Sequence, residues 1–279
     1  ENNITGDNCL FYDSTNKYGC YVIELNIYMD KEMELDTMSD MGYVIIGAPI
    51  SRAGVFIIDK FLENQRDIQS NYPSSELILA TEEKDFIEEL RGMLRRWNVK
   101  GEVILSQVIK PHYARSTKNW NVTCSRETIR QYVLSETEAS HLLFIDSDMI
   151  CDPRVIDILK RELMGYDIVA SGYPGRFGGI QTGGIGCTLF TRSALEKITF
   201  RCCEFTNHRV IDEGEMLDMD IFGQRLKFKH GYLLAIDHYD TDGSSRHIEP
   251  HPVSALRKTT NSRLLRYILL KASVKCKYN

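Results

Sequence analysis

The chain has 279 residues, 43% of them hydrophobic and 26% charged, the balance of one ordinary globular domain or of a large domain with an appendage. A formal net charge of -5 argues against a nucleic-acid binder, which needs a basic face to displace counterions from phosphates. No window approaches ~18 consecutive apolar residues, so nothing reads as spanning a bilayer. The first residues lack the basic start and apolar stretch of a secretory signal, and the eight cysteines form no CxxC pair. With Cys151 and Cys187 in apolar settings, the expectation is a soluble protein of a reducing, cytoplasmic compartment.

Residues 1–41 read as an appendage: a polar opening, a strand-like CYVIELNIYM and an acidic linker. A regular alternation then begins. YVIIGAP is a buried strand, VFIIDKFLENQRDI an amphipathic helix, ELILATEE a second strand and KDFIEELRGMLRRW a second helix. GEVILSQVI is the third strand, followed by a loop and a helix from about Cys124 to Thr137. HLLFID, the helix PRVIDILKREL, the strand YDIVASGYP, the glycine-rich GRFGGIQTGGIG, the apolar CTLF and the helical TRSALEKI complete the order. Short apolar strands separated by helices describe repeated βαβ units, hence an α/β, Rossmann-like domain with a mostly parallel sheet flanked by helices. The reading places this single domain at 42–240, before a basic, amphipathic tail at 241–279.

In such sheets ligands bind beyond the carboxyl ends of the strands, and there HLLFI gives way to Asp146, Asp148 and Asp152. Residues i and i+2 of an extended segment project to one side, so Asp146 and Asp148 are expected to point together, with Ser147 between them. Two close carboxylates repel unless a cation neutralises them, and a hard divalent ion, Mn²⁺ or Mg²⁺, fits oxygen ligands and can hold a diphosphate at its open positions. The alternative is that Asp146 merely ends the strand. Asp152, before Pro153, reads as the cap of the next helix.

FIDSDMICDP on a βαβ framework, with GGIGCTLFTRSALEKI downstream, resembles the GT-A glycosyltransferases of the large inverting group called family 2. The likeness covers about residues 42 to 240, and Asp148 to Asp152-Pro153 is spaced as in the polyprenyl-phosphate sugar transferases within that group. The resemblance implies a GT-A fold and a divalent metal on an Asp-x-Asp motif, with Asp146 and Asp148 as ligands. It implies a nucleotide-sugar donor, a UDP- or GDP-sugar. GAPISRAG would start the nucleotide pocket with Pro49, Ser51 and Arg52, and Glu82 or Glu83 would face the base. Arg126, Asp146 and Ser147 would lie against the nucleotide, and Arg115 and Lys118 could reach phosphates. Glu82 and Glu83 would equally serve the dipole of the following helix. The glycines at 178, 179, 183, 184 and 186 either admit a ligand to the backbone or form a flexible loop.

Inverting transfer needs one general base. The resemblance places it in EGEMLDMDIFGQRLKFKHGY at Asp218, which matches the following acid and Phe, or at Asp220, which better fits the distance to Gly231. The glutamate usual before that Asp is Leu217 here. A histidine late in the core would complete the metal shell, which leaves His238 or His247. Two other functions fit the same pattern: a nucleotidyltransferase, and a non-catalytic relative that binds a sugar nucleotide without turnover. In the tail, Leu264, Leu265, Ile268 and Leu269 share one side of a helix beside Arg263, Arg266 and Lys271. That suits either docking on the core or peripheral contact with an acidic membrane surface, where a lipid-linked acceptor would be met.

Overall fold

The computed structural model describes residues 42–107, 117–175, 180–181, 184–204, 210–211 and 213–250. The appendage, the loop bearing Arg115, the glycines at 178, 179 and 183, and the amphipathic segment of the tail lie outside the described residues. The chain enters β1 (Val44–Pro49), passes through a 3-10 turn (Arg52–Ile57) into α1 (Ile58–Asn71), and continues through β2 (Ser75–Thr81), a short 3-10 turn (Lys84–Phe86), α2 (Ile87–Trp97) and β3 (Gly101–Leu105). Next come α3 (Thr117–Glu136), β4 (His141–Ile145), β5 (Met149–Cys151), α4 (Val155–Glu162), β6 (Ile168–Ser171), β7 (Tyr173–Pro174), β8 (Ile180–Gln181), β9 (Cys187–Thr191) and α5 (Arg192–Leu195). The short pair β10 (Cys203–Glu204) and β11 (Val210–Ile211) precedes α6 (Glu213–Gly223), β12 (Phe228–Gly231), β13 (Ile236–Tyr239) and β14 (Ser245–Ile248).

Seven strands form the central sheet in the order β12-β6-β9-β4-β1-β2-β3, every neighbouring pair parallel except those of β9, which runs against both β4 and β6. This is the mostly parallel, helix-flanked α/β architecture expected. β1 sits inside it with Ile46 opposite Leu77 on one side and Leu143 on the other. Strand alternation divides the core in two. Val44, Ile46, Ala48, Leu77, Leu79, Leu143 and Ile145 meet Phe61, Leu62, Leu90, Val155 and Leu159 from α1, α2 and α4. Ile45, Ile78, Leu142 and Phe144 meet Ile129, Val133, Leu195, Leu217 and Ile221 from α3, α5 and α6 on the opposite face.

A second, antiparallel sheet, β14-β13-β5, stands at the carboxyl end of β4. Its hairpin runs from Ile236 to Ile248, so residues 245–248 share a sheet with 236–239. Among the described residues no helix is long and apolar enough to cross a membrane.

Candidate active site

The Asp-Ser-Asp segment joins the two sheets, and that junction sets its shape. The Met149 amide donates to the Asp146 carbonyl at 2.9 Å, closing a turn. The Asp146 amide donates to the Gly186 carbonyl before β9, and the Tyr239 amide donates to the Asp148 carbonyl, each at 2.9 Å. The segment is therefore a pinned turn and not the extended strand end read from the sequence, because the chain must leave the central sheet to enter β5. Asp152, expected to cap a helix starting at Pro153, instead closes the turn before α4, which begins at Val155 with Arg154 at its N-cap: its carboxylate accepts from the Arg154 amide at 2.8 Å and pairs with the Arg154 guanidinium, which lowers its pKa.

Each motif carboxylate has a cationic or ionisable neighbour. Arg126, only 6% exposed on α3, donates to Asp146 Oδ1 at 2.5 Å and, from its other terminal nitrogen, to Glu213 at the start of α6. Burial pulls the guanidinium pKa down, but Asp146 and Glu213 outweigh it and hold it above its ordinary value. Asp148 Oδ1 lies 3.5 Å from His238 Nε2 on β13, and His238 Nδ1 is 2.6 Å from the Pro174 carbonyl. A carbonyl only accepts, so Nδ1 carries the hydrogen and Nε2 is turned toward Asp148. Tyr173 crosses the His238 ring edge to face at 5.8 Å, and burial, then the Asp146 charge, raise its phenol pKa.

These groups open into a cleft of about 650 Å³ at the carboxyl ends of β1 and β4. Pro49 lines it from β1 and Ser51 from just beyond, Phe56 and Gly54 from the 3-10 turn, Glu82 from just beyond β2, Asn121 and Ser125 from α3, and Asp146, Ser147, Asp148 and His238 from the junction. Among the described lining residues there is neither Lys nor Arg. Arg126 supports Asp146 from beneath the surface. Arg52 lies outside the lining, held by Glu83, Asp85 and Glu89 with its guanidinium 4.7 Å from the Phe86 ring. Glu83 is spent on that cluster, whereas Glu82 accepts from Asn121 Nδ2 at 2.6 Å.

The remaining sequence candidates separate. His238 is in the cleft, while His247 stands on the outer hairpin between Asp237 at 2.8 Å and Glu249 at 2.7 Å. Those two carboxylates, Glu249 first, raise the pKa of His247. Asp220 is gripped through both oxygens by Arg201, at 2.6 and 2.7 Å, and takes the Thr199 amide at 3.1 Å. Asp218 is half-buried on α6, and neither aspartate lines this cleft. Among the described residues no three His, Cys, Asp or Glu side chains are gathered so as to cage a metal alone. Sequence reasoning missed Tyr173, Asn121 and the site role of Glu213; no local motif marks them.

No protein-family model and no curated protein matches the sequence. Solved structures align with the chain at low identity. The 4-diphosphocytidyl-2C-methyl-D-erythritol synthase of Anaerococcus prevotii is 12% identical, with 83% of this chain and 100% of that one covered, at a TM-score of 0.44. TarS 1-349 from S. aureus, in complex with UDP-GlcNAc, is 11% identical over 64% of this chain and 54% of that one, at 0.43. Glucosyl-3-phosphoglycerate synthase from Mycobacterium tuberculosis, in complex with Mn²⁺, UDP and phosphoglyceric acid, is 17% identical over 66% and 65%, at 0.41.

Proposed function

We propose that this chain is a metal-dependent glycosyltransferase that moves a sugar from a nucleotide-sugar donor to an acceptor hydroxyl or phosphate, with inversion. The charge of the cleft carries the reading. Glu82, Asp146 and Asp148 line the cleft, and a divalent cation entering with a diphosphate would neutralise carboxylates and phosphate together. The residues fit such an ion. His238 Nε2 and Asp148 Oδ1 face each other across 3.5 Å, with Nδ1–H of the ring directed at the Pro174 carbonyl, so the neutral imidazole would offer Nε2 as a ligand beside the Asp148 carboxylate. Asp148 and His238 would hold Mn²⁺ or Mg²⁺, with the remaining positions left to diphosphate oxygens and water, as hard cations prefer. The bound metal would neutralise charge growing on the leaving diphosphate.

The chain's own groups do the rest. Arg126, anchored by Glu213, holds Asp146 at the junction, and Pro49, Ile50 and Val122 give the cleft an apolar lining. Asp218, half-buried on α6 and outside the described lining of the cleft, is the residue to which the family resemblance gives the acceptor's proton as the acceptor oxygen attacks the anomeric carbon opposite the diphosphate. Asp220, committed to Arg201, supports α6 instead. A lipid-linked acceptor, met at an acidic membrane surface through the tail, belongs to the same reading.

A thermal-shift series with UDP- and GDP-sugars, with and without Mn²⁺, tests it. Stabilisation should require metal, and Asp148→Ala should abolish it with the ligand-free melting temperature nearly kept. Unchanged metal-dependent binding in folded Asp148→Ala removes the basis of the reading. Asp218→Asn should lower turnover by about 10²-fold or more with donor affinity kept, whereas Asp220→Asn should lower stability first. A first-formed product of retained anomeric configuration rejects the inverting step. Release of pyrophosphate from a nucleoside triphosphate and a sugar phosphate would identify a nucleotidyltransferase.

A further inference from the structure

The two glutamates after β2 have different fates, and the difference reaches into the cleft. Glu83 serves Arg52, while Glu82, half-buried, lines the cleft and accepts from Asn121 Nδ2 at 2.6 Å. A carboxylate only accepts, so the nitrogen and not the oxygen of the Asn121 amide must face it, which fixes the amide's orientation. Glu82 Oε1 and Oε2 both retain acceptor capacity, and Nδ2 retains a second hydrogen. In the order Oε2, Oε1, Nδ2 the wall presents acceptor, acceptor, donor.

Resting on the glycosyltransferase reading, we propose that Glu82 and Asn121 form the edge that selects the base, and that the base is guanine, so that the donor is a GDP-sugar. Guanine's pairing edge is donor, donor, acceptor (N2–H, N1–H, O6), the complement at all three positions. Uracil offers acceptor, donor, acceptor and sets a carbonyl against a Glu82 oxygen. Cytosine and adenine each place an acceptor where the wall needs a donor. Buried polar groups left unmatched in this way are what reject a wrong ligand. A second observation points to a flat ligand here: Phe56 is 43% exposed and lines the same cleft, a ring on which a base can stack.

Titration calorimetry with GDP, UDP, CDP and ADP in Mn²⁺ buffer tests the assignment. GDP should bind about tenfold or more tightly than the other three, the discrimination typical of a bidentate pair. Glu82→Gln keeps the shape but turns the wall into donor, acceptor, donor, the complement of uracil, so the preference should move from GDP to UDP. Asn121→Ala should shrink the GDP preference with Glu82 intact, and serves if Glu82→Gln does not fold. Phe56→Ala should weaken all four alike. Another nucleotide binding as tightly as GDP in the wild type, or a GDP to UDP ratio unmoved by both edge variants, overturns the guanine assignment and leaves the transferase reading standing. Failure of all four to bind overturns both.

Discussion

Gly186 sits where three side chains converge. A Cβ built there would lie 2.6 Å from Met149 Cε, 2.7 Å from Asp146 Oδ2 and 3.1 Å from Tyr173 Cζ, and one at Gly184 would lie 2.1 Å from the Tyr173 hydroxyl oxygen. At these two positions the glycine-rich stretch admits the protein's own side chains. Gly186→Ala should therefore act on Asp146: the flexible end of Met149 can yield, but the carboxylate tied to Arg126 must turn. We expect a loss of about 1–3 kcal/mol from overpacking, read by urea denaturation, and a proportionally larger loss of metal-dependent nucleotide binding. Unchanged binding in this variant would show that Asp146 does not need its present orientation. The sequence shows the glycines but not their partners, because which side chain fills a missing Cβ depends on strands brought together only by the fold. The same holds for Arg126 and Glu213, 87 residues apart: each looks like a solvated charge until α3 and α6 are on the same face of the sheet. Asp148 and Glu82 were legible as cleft residues because they follow the carboxyl ends of β4 and β2, where such sheets open their clefts.

At the scale of elements, periodicity recovers most of the order along the chain, since alternation of apolar strands and amphipathic helices follows from burial of one helix face. It cannot give strand direction. CTLF reads equally well either way, and only the structure shows β9 antiparallel between β4 and β6. The helix expected from about Cys124 begins instead at Thr117, because its first turn lacks the apolar spacing on which the reading depends. Its other end is closed from a distance. The Arg192 guanidinium, just after β9, donates to the carbonyls of Val133 and Leu134 in the last turn of α3 and of Thr137 and Ala139 just beyond it, at 2.8 to 3.1 Å, which satisfies helix-end acceptors that no intrahelical donor can reach. Arg192→Ala should cost about 1.5–3 kcal/mol, the scale of charge-assisted hydrogen bonds lost with their acceptors left behind. Lys at this position should recover only part of that, because it lacks the fork that spans four carbonyls. Equal denaturation midpoints for all three proteins would mean that water replaces the guanidinium without loss.

For the molecule as a whole, the strongest charge asymmetry lies in residues 251–279, outside the described residues: seven Lys or Arg and no acid after Glu249. At ~1 kcal/mol for each basic residue near an anionic surface, this segment is expected to pellet the intact protein with acidic liposomes at low salt and release it at high salt. A protein ending at Ser254 should stay in solution. Equal pelleting of both, or indifference to lipid charge, would favour a tail docked on its own core. Association of a different kind is opposed within the described fold. Asn64 of α1 donates from Nδ2 to the Cys151 carbonyl at 2.8 Å and accepts from the Cys151 amide with Oδ1 at 3.0 Å, the two bonds a neighbouring strand would make. One side-chain amide thus stands in for a strand at the margin of β5, and no foreign backbone can zip onto that margin without first evicting it. Asn64→Ala would leave the buried amide and carbonyl of Cys151 both unmatched, so the substitution should surface first as a lower melting temperature.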